Sequence, residues 1–320
     1  MKISETMLKS IKSDLEALLE REEGDAPAAQ IRLMEPMRLH TTFRVGGPAD
    51  LFVTASENAA AKIRQYCTKR DIPFLVVGRG SNLLVSDQGL RGVVLMLDGE
   101  PACMSVTGPE LSASAGATMA AVSRMAQQHG LTGLEFASGI PGTVGGGVVM
   151  NAGAYGQEIR DVLKQVTVCT KDGVMQEVPA GELQLSYRKS IVPERDWMVL
   201  SAVFSLEKGD AGEIRSRMDT LATQRREKQP LEYPSAGSTF KRPEGHFAGK
   251  LIEDAGLRGF SVGDAQVSEK HCGFVINTGE ATAKEIFTLI GLVQEKVKES
   301  SGILLEPEVK MLGFSEENRQ

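Results

Sequence analysis

The chain has 320 residues, a length that suggests two or three domains, each large enough to bury a core. Apolar residues make up 41% and charged residues 24%, an ordinary globular balance that excludes a disordered or fibrous protein. The formal net charge of −6 argues against nucleic acid as the main partner, because phosphate binding normally leaves a basic surface. An anionic ligand would therefore have to meet a local cluster of positive charge.

The amino-terminal segment predicts an amphipathic lead helix that ends near residues 24–27. Its apolar residues recur at helical spacing: Met7, Ile11, Leu15, Leu18 and Leu19. The start lacks an apolar core before Glu5, and no apolar run approaches the roughly 18 residues that span a bilayer. We therefore expect a cytoplasmic protein that does not bind membranes.

The middle of the chain, from about Thr41, reads as short β-rich runs broken by glycine. The predicted strands are residues 73–77, 92–97, 111–115, 166–170, 174–178 and 197–206. Lys171-Asp172-Gly173 predicts a hairpin between two of them. One helix interrupts the strands, with Thr118 as its N-cap and Gly130 after its end.

The last third reads as helices alternating with loops and strands. The sequence pattern changes after residues 197–206, where Ile214, Met218 and Leu221 mark a helix that stops at Pro230, and we predict a domain boundary there. We predict a helix at 247–255, strands at 273–277 and 303–312, and a long helix between those strands. The long helix opens with a capping box, Thr282 to Glu285, and its inward residues are Ile286, Ile290, Val293 and Val297.

Two glycine-rich segments are the main functional signals. Gly78-Arg79-Gly80-Ser81-Asn82 follows a predicted strand, so its amides could cradle a phosphate. The third glycine of a dinucleotide fingerprint is replaced by Leu83, and the next residues read as strand, which argues against a Rossmann site.

The second segment comprises residues 138–147 and 151–156. Each glycine in an ordered segment costs about 0.5–1 kcal/mol relative to alanine unless a special backbone conformation or close approach compensates. A flexible surface loop is the alternative, but Ile140, Val144 and Val148 are apolar and do not suit a solvated linker. The sequence therefore predicts a large cofactor lying against this backbone.

Metal and disulfide sites receive no support from the sequence. Cys67, Cys103, Cys169 and Cys272 form no CxxC pair, and we expect free buried thiols. The four histidines show no ligand spacing. We predict no metal.

A weak excess of positive charge lies at residues 225–258, which hold seven basic residues and five acidic ones. The basic residues are Arg225, Arg226, Lys228, Lys241, Arg242, Lys250 and Arg258. This excess suits a diphosphate, and by itself a solvated face explains it equally well.

Six motifs in order resemble one enzyme family. They are 42–49 (TFRVGGPA), 78–82 (GRGSN), 139–156 (GIPGTVGG followed by NAGAYG), 186–190 (SYRKS), 237–243 (GSTFKRP) and 306–309 (EPEV). Together they span about residues 39–312 and are similar to the UDP-N-acetylenolpyruvoylglucosamine reductase family. The resemblance implies an α+β chain with the FAD-binding fold of the vanillyl-alcohol-oxidase type, in which two α+β subdomains bind flavin and an α+β domain binds substrate.

The resemblance also implies an organisation and an activity. A helical lead at 1–38 would precede an FAD-binding domain at 39–208, with subdomains at about 39–100 and 101–208. A substrate-binding domain at 209–302 and a returning strand and tail at 303–320 would follow. The activity would be NADPH-dependent reduction of UDP-N-acetylglucosamine enolpyruvate to UDP-N-acetylmuramate through bound FAD, in peptidoglycan precursor synthesis. Its partners would be the UDP-sugar and NADPH, and we favour a monomer.

The motifs carry over to named residues. The resemblance implies that FAD is bound by Arg44, Gly46, Gly78, Arg79, Gly80, Ser81, Asn82, Gly139, Ile140, Pro141, Gly142, Thr143, Gly145, Gly146, Asn151, Ala152, Gly153 and Ala154. It implies that substrate is bound by Tyr187, Arg225, Lys228, Lys241 and Arg242. The chain resembles the shorter subtype, because residues 188–238 leave no room for the substrate-closing tyrosine loop of the longer one.

Three residues are the candidates for catalysis. Arg188 would hold the substrate carboxylate, because a guanidinium grips a carboxylate through two hydrogen bonds. The resemblance makes Ser238 the proton donor and chooses Glu308 over Glu306 for the carboxylate end of the substrate. On residues alone, an exposed strand arginine, a turn-capping serine and solvated glutamates remain the alternatives.

Two competing functions are open on the sequence. One is another FAD-dependent oxidase or dehydrogenase of the same fold that acts on an alcohol or hydroxy acid. Such an enzyme need not share Arg188, Ser238 and Glu308. The other is a nucleotide-binding regulatory protein, which would purify without flavin.

Overall fold

The structure is a computed structural model that describes residues 3–19, 29–98 and 104–314. Its helices are α1 Glu5–Leu19, α2 Glu57–Lys69, α3 Met119–Gln128, α4 Val144–Val149, α5 Ala211–Lys228, α6 Ala248–Asp254 and α7 Ala283–Ser301. Its strands are β1 Ala29–Pro36, β2 Pro48–Ala55, β3 Phe74–Val77, β4 Leu83–Val85, β5 Leu90–Leu97, β6 Met104–Thr107, β7 Glu110–Ser114, β8 Leu131–Thr132, β9 Gly153–Ala154, β10 Gln157–Glu158, β11 Leu163–Cys169, β12 Met175–Pro179, β13 Met198–Ser205, β14 Glu207–Lys208, β15 Ser261–Val262, β16 Ala265–Val267, β17 Val275–Asn277 and β18 Lys310–Leu312.

The chain divides into two compact units that alternate along the sequence. The first unit comprises residues 1–33, 51–78 and 92–225, and the second comprises 34–50, 79–91 and 226–320. The contiguous domains expected at 1–38, 39–208, 209–302 and 303–320 remain predictions.

Two sheets organise the first unit. One has the strand order β1-β2-β5-β3, with β3 parallel to β5. The other has the order β12-β11-β13-β7-β6 and is antiparallel in every pair. The predicted hairpin is confirmed as β11 and β12, with Gly173 at φ +82° in the turn between them.

The lead helix is confirmed, with one change in its buried face. Leu8, Ile11, Leu15 and Leu19 are buried, whereas Met7 is exposed. The predicted face therefore began one residue too early, because Met7 and Leu8 both fit a helical spacing with Ile11 and Leu15. The Tyr66 hydroxyl on α2 donates a hydrogen bond to the Asp14 carboxylate at 2.7 Å, which helps to fix this helix.

The second unit is built around α7 and the antiparallel sheet β15-β16-β17. The predicted capping box is confirmed: the Thr282 hydroxyl accepts from the Glu285 N–H, and the Glu285 carboxylate accepts from the Thr282 N–H. The Asp87 carboxylate accepts two further N–H groups of the first turn, Ala283 at 2.9 Å and Lys284 at 3.0 Å. The four residues expected to face inward on α7 are all buried.

The strand expected at 303–312 is shorter than predicted. Only Lys310–Leu312 forms a strand, which pairs in parallel with β4. Upstream, Pro307 makes an isolated antiparallel bridge with Phe240. Proline has no N–H to donate to a ladder, so regular pairing does not extend through this position.

Three of the four cysteines are free buried thiols, as expected: Cys67, Cys169 and Cys272. Burial raises the pKa of the Cys67 thiol to about 12. Cys103 and the predicted helix end at 24–27 lie outside the described residues. Over the part of the chain that the structure describes, no helix is both long enough and apolar enough to cross a membrane.

Candidate active site

The first glycine segment passes from the end of β3 into β4, so the strand predicted after it is confirmed. In the first unit, a Cβ added to Gly78 would lie 2.5 Å from the Thr143 hydroxyl. In the second unit, Gly80 has φ +61°, and an added Cβ would overlap the His40 carbonyl. Both positions exclude a side chain, because the backbone packs against neighbouring chain there.

The second glycine segment is a packed helix rather than a flexible loop. Thr143 caps α4 by accepting the Gly146 N–H, and Val144 and Val148 are buried. The N–H groups of Val144 and Gly145 each donate to a carbonyl of the turn at residues 115–117, both at 2.9 Å. An added Cβ at Gly145 would lie 2.9 Å from the Ala115 Cβ, which explains the glycine there.

The buried amide of Asn151 holds the segment that follows α4. It has φ +40°, a conformation that asparagine tolerates better than most residues. Its Nδ2 donates to the Glu158 carboxylate and, at 3.1 Å, to the Ser186 carbonyl, and its Oδ1 accepts the Arg160 N–H at 2.9 Å. All its polar atoms are therefore used in fixing the backbone around it.

The glycine segment fits a flavin dinucleotide. Gly146 is exposed on α4, and an added Cβ would meet only the Thr143 hydroxyl, at 3.5 Å. Ile140 packs against the buried core beside it. The segment thus presents a fixed backbone surface without side chains, which a large planar cofactor can approach closely.

Glu135, which was not among the residues predicted from the sequence, supports the start of the glycine segment. Its buried carboxylate accepts hydrogen bonds from the Thr132 hydroxyl at 2.7 Å and the Gly133 N–H at 2.8 Å. Its carbonyl accepts the Ser138 hydroxyl at 2.8 Å, so it anchors the start of the glycine segment. Its position between Leu134 and Phe136 was the available signal in the sequence. A glutamate flanked by large apolar residues is expected to be buried, and a buried carboxylate needs a partner.

Arg188 lies in a tight turn of the first unit. Ser186 and Lys189 close the turn with reciprocal backbone hydrogen bonds, and Arg188 has φ +55°. Its Nη2 donates to the Gly153 carbonyl at 3.2 Å, and its guanidinium lies 5.0 Å from the centre of the Tyr187 ring. The structure therefore brings this turn against the predicted cofactor segment, because Arg188 contacts the Gly153 carbonyl and the Asn151 side chain donates to the Ser186 carbonyl.

Ser238 and Glu308 lie on neighbouring segments of the second unit. Ser238 is exposed next to Gly237, which has φ +75°, and Thr239 is fully buried after it. The Glu308 N–H donates to the Thr239 carbonyl at 2.8 Å. The Asn82 side chain donates to the Glu308 carbonyl at 3.2 Å, which connects the first glycine segment to the same place.

Glu306 and Glu308 have different environments. The exposed Glu306 carboxylate pairs with Lys241, and the Lys241 N–H donates to the Glu306 carbonyl at 2.8 Å. Glu308 is half-buried. The regular strand that would have placed them on one face is absent here, for the reason given for Pro307.

Fewer basic side chains of residues 225–258 are available to bind an anionic ligand than the sequence suggests. Lys250 pairs with Asp254, and Arg258 pairs with Glu253. Arg225 belongs to the first unit, where its Nη1 would be 3.0 Å from a Cβ on Gly139, and burial lowers the pKa of its guanidinium.

The other expected ligand residues are distributed between the two units. Lys228 and Arg242 are exposed in the second unit, and the Arg242 guanidinium stacks on Phe247. Arg44, which has φ +58°, and Arg79 are also exposed there. Among the described residues, no group of three histidine, cysteine, aspartate or glutamate side chains could hold a metal ion.

Two protein-family models match parts of this chain. Residues 48–179 match the family described as an FAD binding domain. Residues 229–312 match the family described as the UDP-N-acetylenolpyruvoylglucosamine reductase C-terminal domain.

Relatives of that name are similar over nearly the whole chain. The protein from Agathobacter rectalis is 56% identical over 291 residues, 87% of this chain and 93% of its own length. The protein from Caldanaerobacter subterraneus is 48% identical over 299 residues, 93% of this chain and 99% of its own length.

The crystal structure of the reductase from Thermus caldophilus is also similar. It superposes with a TM-score of 0.76 at 35% identity and covers 89% of this chain and 98% of its own. These matches confirm the α+β FAD-binding fold class, and FAD and NADPH are the cofactors of this family. The chain is an FAD-dependent oxidoreductase that belongs to the UDP-N-acetylenolpyruvoylglucosamine reductase family.

Proposed function

We propose that this protein uses NADPH, through bound FAD, to reduce UDP-N-acetylglucosamine enolpyruvate to UDP-N-acetylmuramate. The step would supply a precursor of peptidoglycan, and we propose that the enzyme acts as a monomer in the cytoplasm. The observation that carries the proposal is the match of residues 229–312 to the reductase C-terminal domain, the part of the chain that contains Ser238 and Glu308.

The reaction makes three demands on the protein. Hydride must reach the methylene carbon of the enolpyruvyl group, charge must be stabilised on the carboxylate, and a proton must reach the neighbouring carbon. When bound, FAD would supply the redox chemistry that connects NADPH with the methylene carbon, and the two glycine-rich segments would hold it. The protein supplies orientation, electrostatic stabilisation and the proton.

Arg188 is proposed to hold the substrate carboxylate. Its guanidinium can form two parallel hydrogen bonds to a carboxylate and stabilise the charge that develops after hydride arrives. Two contacts support a fixed orientation, since Nη2 donates to the Gly153 carbonyl and the guanidinium lies near the Tyr187 ring. A side chain held before substrate binds loses less entropy when it forms the complex.

Ser238 is proposed to deliver the proton, and Glu308 to act at the carboxylate end of the substrate. The exposed hydroxyl and the half-buried carboxyl lie on segments joined by the hydrogen bond from Glu308 N–H to the Thr239 carbonyl. A hydroxyl is a weak acid, so a neighbouring charge or a chain of water must return its proton after each turnover. Arg188 and Lys228 are the proposed sources of that charge.

The discriminating experiment asks which compound reoxidises the reduced flavin. The purified holoenzyme is reduced with NADPH without oxygen and mixed with the enolpyruvyl UDP-sugar, while the oxidised holoenzyme is mixed in turn with simple alcohols and with hydroxy acids. We expect the enolpyruvyl UDP-sugar to restore the oxidised flavin spectrum of the reduced enzyme, and the alcohols and hydroxy acids to leave the oxidised enzyme unchanged. Bleaching of the oxidised enzyme by an alcohol or hydroxy acid would instead identify it as another dehydrogenase of this fold, and a colourless protein would favour a nucleotide-binding regulator.

A further inference from the structure

Phe247 is an exposed aromatic residue in an ordered part of the second unit. Its residue surface is 62% exposed, although phenylalanine is usually buried. The Arg242 guanidinium lies over one face of the ring, 4.0 Å from its centre. An aromatic ring held by a cation on an otherwise exposed surface is a ready platform for a planar ligand.

The fold gains little from phenylalanine at this position. Phe247 is the N-cap of α6, and its side chain makes no capping hydrogen bond. Serine, threonine, aspartate and asparagine stabilise helix starts here, whereas an aromatic residue does not. A residue that is both a poor cap and an exposed hydrophobe breaks two local rules, which is typical of a functional position.

The backbone around the ring is fixed before any ligand arrives. Gly245, at φ +71°, allows a turn in which the His246 N–H donates to the Pro243 carbonyl at 3.1 Å. Arg242 Nε donates to the His246 carbonyl at 3.3 Å. The Phe247 carbonyl accepts two N–H groups of α6, at 3.0 and 3.1 Å. The pair of Arg242 and Phe247 is therefore preorganised.

The pair lies within reach of the proposed proton donor. Ser238 and Arg242 are four positions apart in the sequence, so their Cα atoms are at most about 14 Å apart even in a fully extended chain. The intervening segment pairs with residues 306–308 through the bridge between Phe240 and Pro307. One ligand can therefore contact Ser238 at its sugar end and Arg242 farther along.

We propose that Phe247 stacks on the nucleobase of the UDP group while Arg242, bound to the other face of the ring, contacts the diphosphate. The inference rests on the proposed function and names the part of the protein that recognises the nucleotide. Charge and shape agree with this occupant, since a cation and an aromatic plane match a diphosphate and a pyrimidine. The alternative occupant, a protein partner, would engage the ring without competing with the substrate.

The test compares the holoenzyme with Phe247→Ser, Phe247→Tyr, Arg242→Gln and the control Leu304→Ala, whose side chain is equally exposed at 63%. UDP and inorganic pyrophosphate are measured as competitive inhibitors, and UDP binding is also followed by its change in flavin absorbance. We expect Phe247→Ser to weaken UDP by about 5- to 150-fold, the range of base–aromatic stacking, and to leave pyrophosphate unchanged. Arg242→Gln should weaken both ligands, and Phe247→Tyr and Leu304→Ala should weaken neither.

The serine variant separates recognition from folding. Serine is a better helix cap than phenylalanine, so its melting temperature should equal or exceed that of the wild type while UDP affinity falls. Wild-type affinity for UDP in Phe247→Ser would overturn the inference, and so would equal weakening of UDP and pyrophosphate, because the ring would then act only by holding Arg242. Failure of the wild-type holoenzyme to bind UDP would overturn the assignment of a UDP-sugar substrate, and this inference with it.

Discussion

At the scale of single residues, Ser238 offers the sharpest test of the chemistry. Reduction of the flavin by NADPH protonates no substrate carbon, whereas the second half of the reaction must deliver a proton. We expect Ser238→Ala to bind FAD and be reduced at nearly the wild-type rate, while reoxidation by the enolpyruvyl sugar slows by roughly 10²- to 10⁴-fold. Stopped-flow absorbance measures each half separately. Reoxidation at the wild-type rate would show that Ser238 is not the proton donor and has only a structural role in its turn.

Glu135 gives a prediction for stability and pH. Burial alone would raise the pKa of its carboxyl, but hydrogen bonds from Thr132 and Gly133 and the charge of Arg217 hold that pKa below its usual value. A depressed pKa contributes stability above the unfolded value of about 4.3, and that stability is lost as pH falls through the folded value. Glu135→Gln should therefore lower the free energy of unfolding at pH 7 by about 1.5–3 kcal/mol, the worth of hydrogen bonds to a charged group.

The pH dependence of the stability difference shows whether the Glu135 charge or only its packing stabilises the fold. In denaturant titrations, the difference between wild type and Glu135→Gln should shrink as pH falls from the unfolded pKa of about 4.3 through the lower folded pKa, since the Glu135 carboxyl becomes neutral over that range. Glu177→Gln, at an exposed position of β12, is the matched control and should change stability little. A difference that stays constant from pH 7 to 3 would contradict the role assigned to the Glu135 charge.

The choice between Glu306 and Glu308 shows what residue types alone leave undecided. Both are glutamates of one short motif, and only the resemblance favoured Glu308. The structure separates them through residues about 65 positions earlier: Lys241 pairs with Glu306, and the backbone of Thr239 holds Glu308. Such distant partners have no local signal in a single sequence.

At the scale of elements, the sequence predicts best where the signals are local. The capping box of α7 and the cap of α3 at Thr118 are read from a few adjacent residues, and both are confirmed. Helix α4 was not predicted, because it contains three consecutive glycines. Apart from proline, glycine has the lowest helix propensity of all residues. The helix forms because Thr143 caps it and the core buries Val144 and Val148, which are tertiary effects.

Gly146 on α4 tests whether this helix is shaped for the cofactor. Alanine there has room beside Thr143 and should stabilise the apoprotein by about 0.5–1 kcal/mol through its helix propensity. The added methyl would occupy the surface proposed for FAD, and we expect at least about tenfold weaker binding, or roughly 1.4 kcal/mol. Apoprotein melting and FAD titration by fluorescence measure the two effects.

The matched control for this glycine is Gly291, in the exposed interior of α7, where an added Cβ meets nothing within 4 Å. Gly291→Ala should give the same gain in stability with unchanged FAD affinity. If Gly146→Ala also kept its FAD affinity, the cofactor would not lie against this face of α4. The two variants together separate helix propensity from contact with the flavin.

At the scale of the whole molecule, the domains predicted from the sequence are contiguous, whereas each compact unit consists of separate stretches of the chain. The chain enters each unit three times, and the short excursions at 34–50 and 79–91 contain the motifs around Arg44 and Gly80. A change in residue pattern along a sequence can indicate only a boundary between two contiguous domains. Contacts such as that of Asn82 with Glu308, 226 positions apart, determine the units and are not visible in a single sequence.

The order of substrate binding is the prediction that belongs to this scale. The segment after Gly78 enters strand β4 rather than the helix of a dinucleotide-binding motif, so the first glycine segment does not form a separate Rossmann site for NADPH. We therefore expect NADPH and the UDP-sugar to occupy one site in turn, with NADP⁺ leaving before the sugar binds. Initial rates measured against NADPH at several fixed sugar concentrations should give parallel double-reciprocal lines. Excess UDP-sugar should inhibit by competing with NADPH for the oxidised enzyme. Intersecting lines would mean that both ligands are bound together, and the single-site arrangement would then be wrong.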